Sequence, residues 1–286
     1  MIRMFRCLLL LIVLAPVQVC SAQTFDRGFA AHLMEQRLTS EAISYFTFSL
    51  SDSTNHQHYD TLHMLMGNIF FDQQQHIQAN DHYKAVSDFF TGKFIVDLKR
   101  SISLTSLNRK QEAIALLSQA HPADSLEMQI VHVFISAVLL LEKDFQGYLL
   151  ADSSVQFNSY IYDDVRTRLK YAYTHRLKEK RKSPFLAGLY SAVIPGAGKV
   201  YAGKPYEGLA TFFQTGALGA IALENYLKAG PGSGRFIAFG GLFGLFYVGN
   251  IWGSALAVKV EQQQSLKQFN DEIIRNMYIT IRNYKG

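Results

Sequence analysis

A run of 23 residues from Phe236 to Val258 carries no charged side chain. That is enough helix to cross the hydrocarbon core of a bilayer with some tilt, so the first expectation is a membrane segment near the C-terminal end. Two more charge-free stretches precede it, Ser183 to Gly198 and Gly208 to Leu223. The second is long enough only if Tyr206 and Tyr226 sit in the two interfacial belts. The first is broken by Pro195 and Gly196, and three readings stay open for it: a span, a re-entrant dip, or an interfacial segment. Small residues recur four apart at Gly216 and Ala220, Gly240 and Gly244, and Gly249 and Gly253, the spacing through which membrane helices pack backbone to backbone. Phe236, Phe239, Phe243 and Phe246 fall on one face, which suits lipid. Asn250 lies inside the best span, where an amide serves an interhelical hydrogen bond. No acidic or basic residue there marks an ion path.

The other apolar excess is at the N-terminus. Arg3 and Arg6 precede an apolar run from Cys7 to Val19, and Cys20, Ser21 and Ala22 follow. This order is that of a secretory signal, with cleavage expected after Ala22. Cleavage would remove Cys7 and Cys20, the only two cysteines, and with them disulfides, thiolate metal sites and cysteine nucleophiles.

From Phe29 onward apolar residues recur at helical spacing without alternating β-branched runs, which predicts an all-α region. Met66, Gly67 and Phe70, followed by Ala79, Tyr83 and Val86, read as a helical pair in which a small residue admits a bulky one. The small residues Ala42, Ala79, Ala113 and Gly147 mark the same template at intervals of 37, 34 and 34 residues, the period of a helix-turn-helix solenoid. On these residues the region from about Phe25 to Asp152 resembles the tetratricopeptide repeat family. The resemblance implies a concave surface that binds a peptide or partner helix, with Asn68, Phe71, Gln75 and Arg109 as its inner-facing residues. A last helix capped by Asp152 and Ser153 would close the solenoid through Phe157, Ile161, Val165 and Leu169.

The string containing Ser191, Pro195, Gly196, Gly198 and Tyr201, followed by Gly208 and Leu209, resembles a small membrane module of bacterial envelope proteins. In that module a Pro-Gly-x-Gly-x-x-Tyr turn links hydrophobic helices; Lys199 stands here where a glutamine or similar polar residue is usual. The resemblance implies architecture and no particular chemistry.

No catalytic constellation is present: no His-Glu-x-x-His, no Gly-x-Ser-x-Gly, no paired carboxylates in an apolar setting. An enzyme, a cofactor and a metal site are therefore not expected. His56, His58, Asp60 and His63 form the one histidine-rich cluster and read as a polar connection between repeats. Gly198 to Lys204 imitates a phosphate-binding loop, but Pro205 stands where a hydroxyl should hold magnesium. The net charge of +5 comes without a basic and aromatic interleaving, so nucleic acid is not an expected partner. The densest cations, Arg176, Lys178, Lys180, Arg181 and Lys182, lie just before the apolar region and suit lipid headgroups.

The sequence thus predicts an all-α chain. It comprises a signal peptide (1–22), a repeat solenoid (23–182), a two- or three-helix membrane module (183–258) and an amphipathic tail (259–286). Leu266, Phe269, Ile273, Met277 and Ile281 line the tail's apolar face. An export signal places the repeats outside the cytoplasm, whereas short Lys- and Arg-rich loops favour the cytoplasm. The export signal is followed, giving a cell-envelope protein whose repeats are periplasmic. The expected role is an adaptor for an envelope protein or peptide, with membrane lipid and a second copy as further partners. The alternative is a membrane module that oligomerises or handles lipid, regulated by the repeats.

Overall fold

The computed structural model describes residues 25–154 and 158–284. The signal segment and Phe157 lie outside the described residues. Among those described there are thirteen α-helices and no strand. The chain divides into two compact units, one of residues 1–162 with 280–286, the other of residues 163–279.

The first unit is a succession of helical hairpins. Its helices are α1 (Arg27–Glu35), α2 (Thr39–Ser51), α3 (Tyr59–Asp72), α4 (His76–Ala85), α5 (Lys93–Ser106), α6 (Lys110–Ser118), α7 (Ser125–Glu142) and α8 (Phe145–Ser153). They pair in order: α1 with α2, α3 with α4, α5 with α6, and α7 with α8. All four hairpins turn in the same way. One residue takes the left-handed conformation, at Arg37 (φ 55°), Gln74 (59°), Asn108 (60°) and Lys143 (65°). The next backbone N–H then donates five residues back: Leu38 to the Leu33 carbonyl at 3.0 Å, Gln75 to Phe70 at 2.8 Å, Arg109 to Leu104 at 2.8 Å, and Asp144 to Leu139 at 3.0 Å. Such a bond satisfies a carbonyl that the ending helix would otherwise leave without a partner.

Beyond each turn the same register position falls at a fully enclosed residue: Ala42, Ala79 and Ala113 in the first three hairpins, and Tyr148 in the fourth. The fourth mark is therefore not Gly147. Gly147 lies one residue earlier, where its N–H is held by the capping Asp144 carboxylate at 2.9 Å. In the second hairpin Gly67 admits Tyr83, since a Cβ on Gly67 would sit 2.4 Å from the ring.

The second unit begins within α9 (Tyr160–Lys178) and continues through α10 (Pro184–Val193), α11 (Ala197–Tyr201), α12 (Pro205–Ala229) and most of α13 (Gly234–Asn283). The division at Tyr162 thus falls earlier than the expected boundary near Lys182. The buried stripe of α9 is Tyr162, Val165, Leu169 and Ala172, whereas Ile161 is exposed. The tail expected to start at Lys259 is no separate element. α13 runs on for 50 residues, because no glycine or proline follows Gly253 until Gly286.

Two described helices are long and apolar enough to cross a membrane, α7 and α13. α10 is a ten-residue apolar helix. At 1.5 Å per residue it is about 15 Å long, half the hydrocarbon thickness, so it cannot span unaided.

Candidate functional site

In the first unit the segment after α4 and the helices α5, α6 and α7 enclose a groove of about 620 Å³. Phe90 and Phe94 give it apolar surface, while Asp97, Arg100, Gln119 and Glu127 give it polar groups of both signs. Asp97 is 8% exposed. Its Oδ1 stands 3.3 Å from Lys93 Nζ, an ion pair without good hydrogen-bond geometry. Burial pushes the Asp97 carboxyl up, opposed by Lys93 and Arg100. Burial holds the Arg100 guanidinium below its ordinary value, and its Nε donates to Asn80 Oδ1 at 3.3 Å. At the rim Tyr284 donates its hydroxyl to Glu127 and packs its ring on Phe94 at 5.4 Å. Burial, with Glu127 beside it, pushes the Tyr284 phenol up to about 12.

Of the expected inner-facing residues, Asn68 is half-buried, and its Oδ1 accepts from Tyr83 at 2.9 Å and Lys99 at 2.7 Å. Phe71 is not a contact surface: it is 4% exposed, with Lys99 Nζ 5.9 Å from its ring centre. Gln75 and Arg109 are exposed turn residues, and Arg109 is engaged by Glu112 through two 2.6 Å hydrogen bonds. Periodicity located the helices correctly but not the side facing the groove. Asp97, Lys99 and Arg100 escaped notice because charged residues on an amphipathic helix ordinarily face water.

The histidine-rich connection does not converge either. Both Asp60 oxygens accept from Ser87, at 2.8 and 2.6 Å. His63 instead meets His82, Nδ1 to Nδ1 at 3.0 Å. Burial holds both imidazoles below their ordinary value; His82 lowers His63 further, Asp60 opposes the shift at His63 and Asp81 that at His82. Among the described residues no three His, Cys, Asp or Glu side chains form a metal-binding group.

In the second unit Pro195, Gly196, Gly198 and Tyr201 build one feature, a helix broken and folded back on itself. Ser183 caps α10 and Pro184 occupies its first turn, where a missing N–H costs nothing. Past α10 the chain turns at Gly196, whose φ of +86° and 2.0 Å approach to the Gly208 carbonyl, measured from where a Cβ would be, exclude any side chain. Gly198 is as confined, its absent Cβ lying 1.9 Å from the Ala187 carbonyl. Tyr201 accepts the Ser183 N–H at 3.1 Å and sets its ring against Tyr190. Lys199 donates to Thr211 at 2.8 Å. Since Gly198 N–H is already bonded to Ser191 Oγ at 2.9 Å, and residues 197–201 form a helical turn, the phosphate-loop likeness carries no cradle.

Sequence reading missed the serine pair at the centre of this feature, but it had set the Asn250 amide in an interhelical bond, and Asn250 Nδ2 stands 3.5 Å from the Ser191 carbonyl. The fully buried Ser191 and Ser254 hydroxyls meet at 2.7 Å. Tyr247 donates to the Ala192 carbonyl, and Asn250 is 5% exposed with its Oδ1 unpartnered. Small polar residues at Ser191 and Ser254, in otherwise apolar stretches, were the available signal.

The small-residue pairs do not join α12 to α13. A Cβ on Gly216, Gly244, Gly249 or Gly253 would meet nothing within 4 Å, one on Gly240 would touch only Phe236 of its own helix, and Ala220 is exposed. The helices meet instead through Gly219 against Phe243, and Tyr226 against Phe236 at 5.3 Å, so these two phenylalanines turn to protein rather than away from it. A family model, a curated protein or a solved structure matching this chain was not found in any of the three comparisons.

Proposed function

We propose that the chain is a membrane-anchored adaptor of the cell envelope, exported by its N-terminal signal. In this reading, tetratricopeptide-like hairpins of the first unit hold a protein partner, and the apolar second unit keeps them at the membrane. The observation that carries it is the groove of about 620 Å³, whose mixed charges and aromatic walls suit a peptide segment and offer no arrangement for bond chemistry. The buried Asp97 and half-buried Arg100 would order polar groups of such a segment, and Phe90 and Phe94 its apolar ones. A photo-crosslinking residue placed in the full-length chain at Gln119 or His121, both lining the groove, should yield a discrete adduct in cells. The same probe at Ile77, exposed and outside the groove, should not. Equal labelling from both places would sink the adaptor reading.

The alternative, a module that oligomerises with the repeats regulating it, draws on the uncovered faces at Gly244, Gly249 and Gly253. Crosslinking between copies through Gly249→Cys in native membranes, absent at Phe185→Cys, would favour it.

A further inference from the structure

One level of the second unit gathers positive charge from three separate parts of the chain. Ser183 N–H bonds to Tyr201 at 3.1 Å, and Gln262 Nε2 donates to the Lys182 carbonyl at 2.6 Å. A Cβ on Gly203 would lie 3.3 Å from Lys182 Nζ, and Ala187, Ala202, Ala257 and Val258 share one buried cluster just beneath. These bonds bring the end of the 178–182 run, Lys204 and Lys259 into a single layer.

The acids in that layer are partly committed. Glu179 is paired with Arg176, Glu207 with Lys204 at 3.2 Å, and Glu261 lies beside Gly203 near Lys182. Lys178, Lys180, Arg181 and Lys259 remain exposed, outside the ion pairs formed among the described residues. Directly below this collar the surface turns apolar, with Phe185 76% exposed and Leu189, Leu209 and Leu256 each about half exposed. About 37 Å away, by the 25 residues of α12, the far end of that helix is weakly charged: Lys228 is taken by Glu224, leaving Arg235 where α13 begins.

Resting on the membrane reading above, we infer that this collar is a binding surface for anionic phospholipid headgroups. A ring of solvated cations one turn above an exposed apolar band matches the depth at which headgroup phosphates sit. Each cation near an anionic surface strengthens association about fivefold. Four of them on one rim, against one at the other, give the second unit a lipid preference that the apolar band alone lacks.

The test uses the full-length chain, purified in neutral detergent and reconstituted into vesicles of equal phosphatidylglycerol and phosphatidylcholine, then extracted with its surrounding lipid. The retained lipid should be enriched at least threefold in phosphatidylglycerol. Enrichment should fall toward parity in K180Q/R181Q/K259Q and in 0.5 M salt, and persist in K228Q/R235Q. Floating with vesicles but retaining both lipids equally overturns the collar and leaves the membrane reading standing, as does enrichment that survives the triple variant. A chain that floats with neither lipid overturns the membrane reading and the inference with it.

Discussion

α7 and α13 both have the length and hydropathy of a membrane span, yet 61% of the apolar window of α7 is buried within the protein and 6% of that of α13. The same composition therefore serves opposite ends. In α7, Ile130, Phe134, Val138 and Leu140 are fully enclosed, and removing their surface from water holds the first unit together. In α13, Leu245, Val248 and Trp252 are at least 66% exposed, which in water would leave a large apolar patch with nothing to cover it. What separates a core helix from a candidate span is not how apolar the helix is, but whether its neighbours leave the apolar side free.

The largest effect that can break this comparison comes from a carboxylate on each helix. Val138→Asp places an unpaired charge in an enclosed site, costing more than about 4 kcal/mol, and should abolish cooperative melting of the first unit by circular dichroism. Leu245→Asp should leave that melting intact and instead reduce the membrane-pelleted fraction, a burden of about 3 kcal/mol at mid-span. Reversed outcomes would exchange the two assignments.

Glycine substitutions sharpen it further. Gly67→Ala drives a methyl into Tyr83 and should destabilise the first unit by about 1 to 3 kcal/mol in a denaturant titration. Gly198→Ala, confronting a backbone carbonyl that cannot rotate away, should do at least as much to the second. Gly249→Ala, with open space around it, should change stability by less than about 1 kcal/mol, toward greater helix stability.

The turns allow a smaller comparison within the first unit. Gln74→Gly should stabilise by about 1 kcal/mol, because a left-handed backbone costs an ordinary residue that much. Asn108→Gly should gain less, asparagine tolerating that region already. Thermal melts of the two variants side by side decide it.

The pH response should belong to the first unit. His63 and His82 are held below the ordinary value of 6.5, so below that pH the unfolded chain binds more protons than the folded one. Stability should be complete above about 6.5 and decline as the pH falls beneath it, with a shallower decline in His82→Gln. A rise in stability on acidification would contradict the contact between these rings.

Much of this architecture was legible in the sequence for a physical reason: a period near 34 residues repeats the position at which two helices must cross closely. The reading failed where that position did not need a small residue. Tyr148 fills the crossing in the fourth hairpin, so Gly147 misled by one place. In the second unit, Pro195, Gly196, Gly198 and Tyr201 were recognisable because backbone approaches under 2.5 Å from a would-be Cβ tolerate nothing larger at Gly196 and Gly198. Gly216, Gly240, Gly244, Gly249 and Gly253 had the right spacing, but spacing does not say which side of a helix a neighbour occupies. The groove was the least legible, since Asp97 and Arg100 are neighbours three apart on α5, but the burial of that side comes from other helices, which no local pattern announces.

The bond that closes each of the four hairpin turns runs from backbone to backbone, and the residues in the left-handed place are an arginine, a glutamine, an asparagine and a lysine. No side-chain type is indispensable there. Architecture of this sort can outlast the wording of its own sequence, each turn preserved while the letters that spell it drift, until geometry is the only heritable trace.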